Sequence, residues 1–203
     1  MSTPKIQLSQ EELEMVQDTH WLLTKNKILE KVFAVFGALA EEMREAITKA
    51  DIPFKDEVLL ISPKISKGEN YNGLPYVMLD YPRRFAREEV MAIRTMFWWG
   101  NFISITWHLK GKYKEYYRSV INENRDLLIS HNFHISISED EWRHDFSGEN
   151  YRQLDTIDKS LLEETLANNS FCKLSVKIPL HQWNEAKEML VDLYQVLLKM
   201  ISH

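Results

Sequence analysis

Met91-Ala-Ile-Arg-Thr-Met-Phe-Trp-Trp99 and Phe102-Ile-Ser-Ile-Thr-Trp-His-Leu-Lys110 are two runs rich in aromatic and β-branched residues, separated only by Gly100-Asn101. Two such runs across a short turn signal read as a β-hairpin, and glycine at the first turn position suits a type II′ turn. That two-residue turn sets Trp99 opposite Phe102, Phe97 opposite Ser104, Thr95 opposite Thr106 and Ile93 opposite His108. Trp98, Met96, Ile103, Ile105 and Trp107 then share the other face and are expected to pack against helices, with Arg94 among them. A one-residue slip would exchange the two faces, so the fold reading depends on the turn.

Outward from the hairpin, Val32, Val35, Phe36, Leu39, Met43 and Ile47 recur at steps of three and four, opposite a charged face, and predict a helix over 27–49. Ser9 and Glu12 have capping-box spacing, and Leu13, Val16 and Leu23 continue an amphipathic pattern that Asn26 is expected to interrupt. Residues 57–61 read as a strand and 67–73 as a loop leading into a second strand over 75–81, closed by Pro82. Residues 87–90 read as a helical turn. A helix over 114–130, a strand over 133–138, an acidic turn-rich stretch over 139–150 and a helix near 158–168 follow. A strand over 171–178 then leads past Pro179 into a closing helix striped by Trp183, Ala186, Leu190, Leu193, Leu197 and Ile201. Hairpins that hand over to helices, without strict βαβ alternation, predict an α+β fold. We expect a largely antiparallel twisted sheet, helices mainly on one face, long N-terminal and C-terminal helices, and a single domain over 1–203.

The composition excludes several classes. Hydrophobic residues are 44% and charged residues 27% of 203, which argues against disorder. No uncharged stretch is long and apolar enough to span a bilayer, so no membrane partner is expected. A net charge of −5 gives no support to bulk nucleic-acid binding. A single cysteine, Cys172, rules out an intrachain disulfide and fits a reducing compartment, and no apolar leader opens the chain, so cytoplasmic localisation is expected.

Nucleotide-loop, zincin, hydrolase and Cys-x-x-Cys signatures are all missing. The suggestive feature is alternation. Ser104, Thr106 and His108 share one side of their strand, His134, Ser136 and Ser138 one side of the next, and Lys173, Ser175 and Lys177 one side of the last. Beside Phe97, Trp99 and Phe102 they outline a polar-aromatic sheet face suited to a small-molecule pocket. A plain solvated sheet face needs the same alternation. Candidate ligand contacts are Arg83, Arg84, Trp99, Ser104, Thr106, His108 and His134, with arginine for an anionic group and the aromatics for an apolar body. Arg94 falls on the opposite side in the predicted register. Residues 83–118 hold eight basic and three acidic residues, and 139–164 nine acidic and three basic. That asymmetry fits an anion site, a contact between subunits, or solvated charge.

The ligand expected is thus a small anionic or aromatic molecule. An enzyme would use His108 or His134 as general base, and a third reading buries the aromatic patch in a homodimer. His131, His134, Glu139, Asp140, Glu141, His144 and Asp145 are rich in metal-ligand types, but their spacing matches no closed site, so neither a metal nor a cofactor is expected. Tyr113, Tyr116 and Tyr117 beside lysines have the look of a stacking platform for single strands, which the acidic chain disfavours.

The hairpin Met96-Phe-Trp-Trp-Gly-Asn-Phe-Ile-Ser-Ile-Thr-Trp107, the helix with Tyr113, Tyr116 and Tyr117, and the strand over 171–178 before the closing helix resemble in layout the uncharacterised YktB-like bacterial family. The similarity covers about residues 91–203. Arg83-Arg84 is similar to that family's Arg-Arg segment, but the neighbouring histidine and the downstream Asn-Pro-Pro are absent. The resemblance implies an α+β fold, no activity, and a role for no residue.

Overall fold

Seven strands hydrogen-bond in the order β1-β2-β3-β4-β7-β5-β6, every neighbouring pair antiparallel, in the computed structural model, which describes residues 6–202. The chain starts with two helices, α1 (Gln10–Gln17) and α2 (Thr19–Lys49), and a short turn of helix, α3 (Lys55–Val58). A meander follows: β1 (Lys64–Tyr71), β2 (Leu74–Phe85), β3 (Val90–Trp98) and β4 (Phe102–Lys110). Helices α4 (Lys112–Glu123) and α5 (Arg125–Ser130) lead to two short strands, β5 (His134–Ser136) and β6 (Tyr151–Gln153). Helix α6 (Lys159–Asn168), strand β7 (Phe171–Pro179) and helix α7 (Ala186–Ile201) complete the fold. The fold is α+β, with helices at both ends of the chain, as its patterning implied.

The helices form because their stripes have somewhere to go. Val32, Phe36, Leu39, Met43 and Ile47 of α2 and Leu190, Leu197 and Ile201 of α7 are fully buried. Each such side chain contributes about 1.5–3 kcal/mol by leaving water. They share one core with Ile93, Ile103, Ile105, Trp107, Leu174 and Val176 from the sheet. The Tyr194 hydroxyl of α7 donates to the Met43 carbonyl of α2 at 3.2 Å, fixing the two long helices together.

Several expectations are corrected. Asn26 does not interrupt the helix, which runs from Thr19, where Asp18 accepts a hydrogen bond from the Trp21 amide at 3.0 Å. Residues 57–61 form no strand: α3 ends at Val58, whose side chain is buried, while Leu60 is 82% exposed. The polar stretch expected as a loop is instead mostly β1, an edge strand that needs no apolar alternation because much of it faces water. β2 continues through Pro82, which lies in the register shift between Asp80 and Arg83, where a missing N–H removes no ladder bond. Residues 87–90 are not helical; β3 begins at Val90.

The central hairpin is present, but its register is shifted by one. Trp98, not Trp99, pairs with Phe102, so Phe97 faces Ile103, Arg94 faces Thr106 and Ala92 faces His108. The loop holds three residues, Trp99-Gly100-Asn101, with Gly100 at φ +72°. Ile103, Ile105 and Trp107 pack against the helices as expected. Trp98 and Met96 do not; they join Met78 in a smaller cluster on the other side. The physical reason is Arg94. The predicted register would have pushed a guanidinium into the helix-side core without a carboxylate, whereas the observed one sets it beside Asp80. The shift instead brings Thr95 into the core, fully buried, its hydroxyl lacking a hydrogen-bond partner among the described residues.

Candidate functional site

The register assembles a polar row across five strands: Asp80, Arg94, Thr106, Ser175 and His134. His108 and Lys173 pair in the next row. Arg94 forks onto Asp80, Nε to Oδ1 at 2.7 Å and Nη2 to Oδ2 at 3.0 Å. Thr106 and Ser175 share a hydroxyl hydrogen bond of 2.7 Å.

This face is neither an open cleft nor solvated. Residues 137–150 run across it and seal it. The Tyr71 hydroxyl accepts the backbone amides of His144 and Asp145 at 2.6 and 3.2 Å, and Lys173 donates to the Arg143 carbonyl. Glu141 accepts from Lys110 at 2.9 Å and lies 3.4 Å from His108 Nε2. His144 Nε2 stands 3.4 Å from Arg94 Nη1. Phe85, Trp142 and Phe171 wall the His108 ring, which is 4% exposed, and Lys173 is 1% exposed.

The electrostatics follow from this enclosure. Burial, then Lys173, Arg94 and Lys110, push the His108 imidazole down to about 3. Burial, then Arg94 and Lys173, hold His144 well below its ordinary value. Burial also lowers the Lys173 ammonium to about 8. Burial works against the Asp145 carboxylate, yet hydrogen bonds from Arg143 and Ser147 hold it down to about 2.

Both histidines are therefore neutral when folded and free to charge when unfolded. The unfolded chain binds more protons below its histidine pKa of about 6.5, so stability is complete above that value and is lost as pH falls. From about pH 7 to pH 5 each imidazole should remove about 2 kcal/mol. Urea midpoints across that range should fall steeply, and the double variant His108→Gln/His144→Gln should flatten the slope. An unchanged slope would contradict the enclosure of the two rings.

Of the residues expected at the site, Ser104, Thr106 and His108 do share the sealed face. Arg94, expected to point away, belongs to it. His134 faces the same side two strands from β4, half-buried against Phe146, with Nδ1 3.0 Å from the Asn132 carbonyl. It does not meet His108. Arg83 donates to the Ser62 carbonyl at 2.9 Å, and Arg84 lies 3.8 Å from Glu57 and 3.7 Å from Glu89, so neither arginine serves the cluster. Asp80 was not anticipated, its one sequence signal being that a buried Arg94 requires a carboxylate, and Glu141 and His144 were singled out only as ligand types for a metal, not as partners of this face. Tyr113 and Tyr117 are core residues, so no tyrosine platform forms. His131 bonds the Leu127 carbonyl at the end of α5, and among the described residues no three His, Cys, Asp or Glu side chains are grouped to hold a metal ion.

Trp99 lies on the opposite side of the sheet. There the tip of the hairpin, α2 and the turn before α7 leave a half-open cavity of about 430 Å³, lined by Ile28, Lys31, Phe97, Trp99, Gly100, Leu180 and Trp183. Phe97 meets Trp99 and Trp183 edge-on, both at 5.9 Å between ring centres. Lys31 is the one charged residue lining it among the described residues. Phe97 is held in the core register, and Trp99 sits on the turn. No helix among the described residues is long and apolar enough to cross a membrane. No protein-family model matches the chain, and no curated protein matches it.

Proposed function

We propose that the protein binds a small amphipathic anion in the groove at the hairpin tip. The observation that carries this reading is a ligand-sized apolar cavity walled by Phe97, Trp99 and Trp183 with one cation, Lys31, on its lining. Its volume lies in the range of small-molecule sites, which pair apolar walls with few polar anchors. A flat apolar body would lie against the rings, and its negative group would meet the Lys31 ammonium. The polar side of the sheet then serves as a specifying internal network. A histidine held near 3 and walled in by Phe85, Trp142 and Phe171 does not suit a general base working near neutrality, which removes His108 from the enzyme reading and leaves it only the half-buried His134. A buried, solitary Cys172 fits a reducing compartment, and the cytoplasm is the location we propose. Kinship with the YktB-like family, proposed on layout, adds a fold and no ligand.

The test is a pair of fluorescent probes, anionic 8-anilinonaphthalene-1-sulfonate and uncharged N-phenyl-1-naphthylamine. Lys31→Glu should weaken the anionic probe by roughly tenfold, from a lost attraction and a new repulsion of about 0.5–1 kcal/mol each, and leave the neutral probe unchanged. Trp99→Ala should weaken both. Equal binding by all three proteins would overturn the proposal.

A further inference from the structure

Helix α1 buries none of its residues, although its ends are well defined. Ser9 and Glu12 form a reciprocal capping box, with Glu12 N to Ser9 Oγ at 3.2 Å and Ser9 N to Glu12 Oε2 at 2.6 Å. Asp18 then ends α1 and caps α2. An eight-residue helix is marginal in water on propensity alone, so a helix like this one needs a surface to pack on. Its apolar residues and those of the following turns face water instead. Val16 is 72% exposed and Trp21 51%, and Leu13, Met15, Leu22 and Leu23 are exposed as well. Met15, Val16, Trp21 and Leu22 line an open notch at the corner between the two helices. Contiguous exposed apolar patches of this kind mark interaction sites.

The charge pattern identifies the partner. Residues 10–18 carry Glu11, Glu12, Glu14 and Asp18 and no basic residue, whereas residues 19–31 carry Lys25, Lys27 and Lys31 against Glu30 alone. A surface with one acidic half and one basic half, divided by an apolar centre, complements itself when turned about a two-fold axis. That is the condition for an isologous interface. We propose that two copies of this chain pair through this N-terminal arm, apolar corner against apolar corner, with the acidic α1 of each alongside the Lys27 turn of α2 in the other. Lys25 is already engaged by Glu69 at 2.8 Å, which leaves Lys27 as the next exposed lysine from the corner. A membrane is the poorer occupant, because four acidic residues beside the apolar corner repel an anionic surface. The inference does not rest on the ligand groove, with which it shares only Lys31.

Sedimentation equilibrium of the full chain over a concentration series up to about 100 μM tests it. The wild type should approach twice the chain mass. Val16→Glu/Leu22→Glu should raise the dimer dissociation constant by roughly a hundredfold or more, as expected for charges placed at the centre of an apolar contact. At concentrations where both proteins are monomeric, its circular dichroism and urea midpoint should match the wild type's, since neither side chain is buried within the chain. Lys27→Glu should weaken pairing at low salt, and adding Glu14→Lys should restore it, a rescue that only acid–base pairing across the axis produces. A monomer at every concentration would overturn the proposal. So would association indifferent to Val16→Glu/Leu22→Glu, or uptake of the arm by zwitterionic phosphatidylcholine vesicles in place of self-association.

Discussion

Asp80→Asn is expected to destabilise the protein by about 3 kcal/mol, at the lower end of the cost of breaking a buried ion pair because the Arg94 side chain keeps 14% of its exposure. The substitution preserves shape and removes only charge. It leaves the Arg94 guanidinium beneath residues 137–150, near the Lys173 ammonium and the neutral imidazole of His144, with no carboxylate in its fork. The loss measures an uncompensated charge, not the net worth of the pair. Asp80→Leu/Arg94→Met, which removes both partners, should therefore cost less than Asp80→Asn alone. Urea unfolding reads both. A loss below about 1 kcal/mol for Asp80→Asn, the value of an exposed pair, would mean that water reaches this face.

Trp107→Ala should cost about 3–5 kcal/mol, the range for emptying a large aromatic site in a core that relaxes only in part. Trp107 has no exposed surface and packs edge-on against Tyr117 at 5.1 Å between ring centres. Tyr117 in turn donates to the Ile201 carbonyl at 3.1 Å, so the cavity would loosen the join between α4 and the end of α7. The indole Nε1 has no hydrogen-bond partner among the described residues, and this buried donor already carries a desolvation cost. Trp107→Phe, which removes that donor and keeps most of the apolar surface, should cost far less than alanine. Urea midpoints of the two variants within experimental error of each other would contradict the packing of this face.

Much of the fold was legible where burial and periodicity agree. The stripes of α2 and α7 bury the side chains that their spacing selects, and β7 alternates because Cys172, Leu174, Val176 and Ile178 face the helix-side core while Lys173 and Ser175 face the polar row. The 57–61 run misled because a short apolar run does not distinguish a strand from a helical turn, and Leu60 proved to be a solvent-facing residue. β1 was hidden for the converse reason: an edge strand gains its place from ladder hydrogen bonds, which leave little mark on composition. The hairpin register turned on one residue of loop length. The turn chemistry of Gly100-Asn101 favoured two residues, but burial of Arg94 beside Trp107 argued against it, and the charge decided.

The candidate site was less legible still. Ser104, Thr106 and His108 were placed together correctly because strand alternation is local. What covers them was not, since nothing in 137–150 states that its backbone amides will seek the Tyr71 hydroxyl or that its Arg143 carbonyl will take Lys173. Trp99 was expected beside those polar residues and sits across the sheet from them, a direct consequence of the register. The groove it helps to line joins α2, the hairpin tip and Trp183, segments more than sixty residues apart, and no local pattern could assemble them.

One sheet face is sealed and the other is packed by helices except at the groove beside the hairpin tip, and tryptophans lie on both sides. Titrating ¹⁵N-labelled protein with 8-anilinonaphthalene-1-sulfonate and following the indole N–H signals compares them in one spectrum. The signals of Trp99 and Trp183 should move progressively while those of Trp98 and Trp142, on the sealed side, stay fixed. Movement of Trp98 and Trp142 with Trp99 and Trp183 unmoved would contradict the account, because the ligand would then be entering beneath residues 137–150.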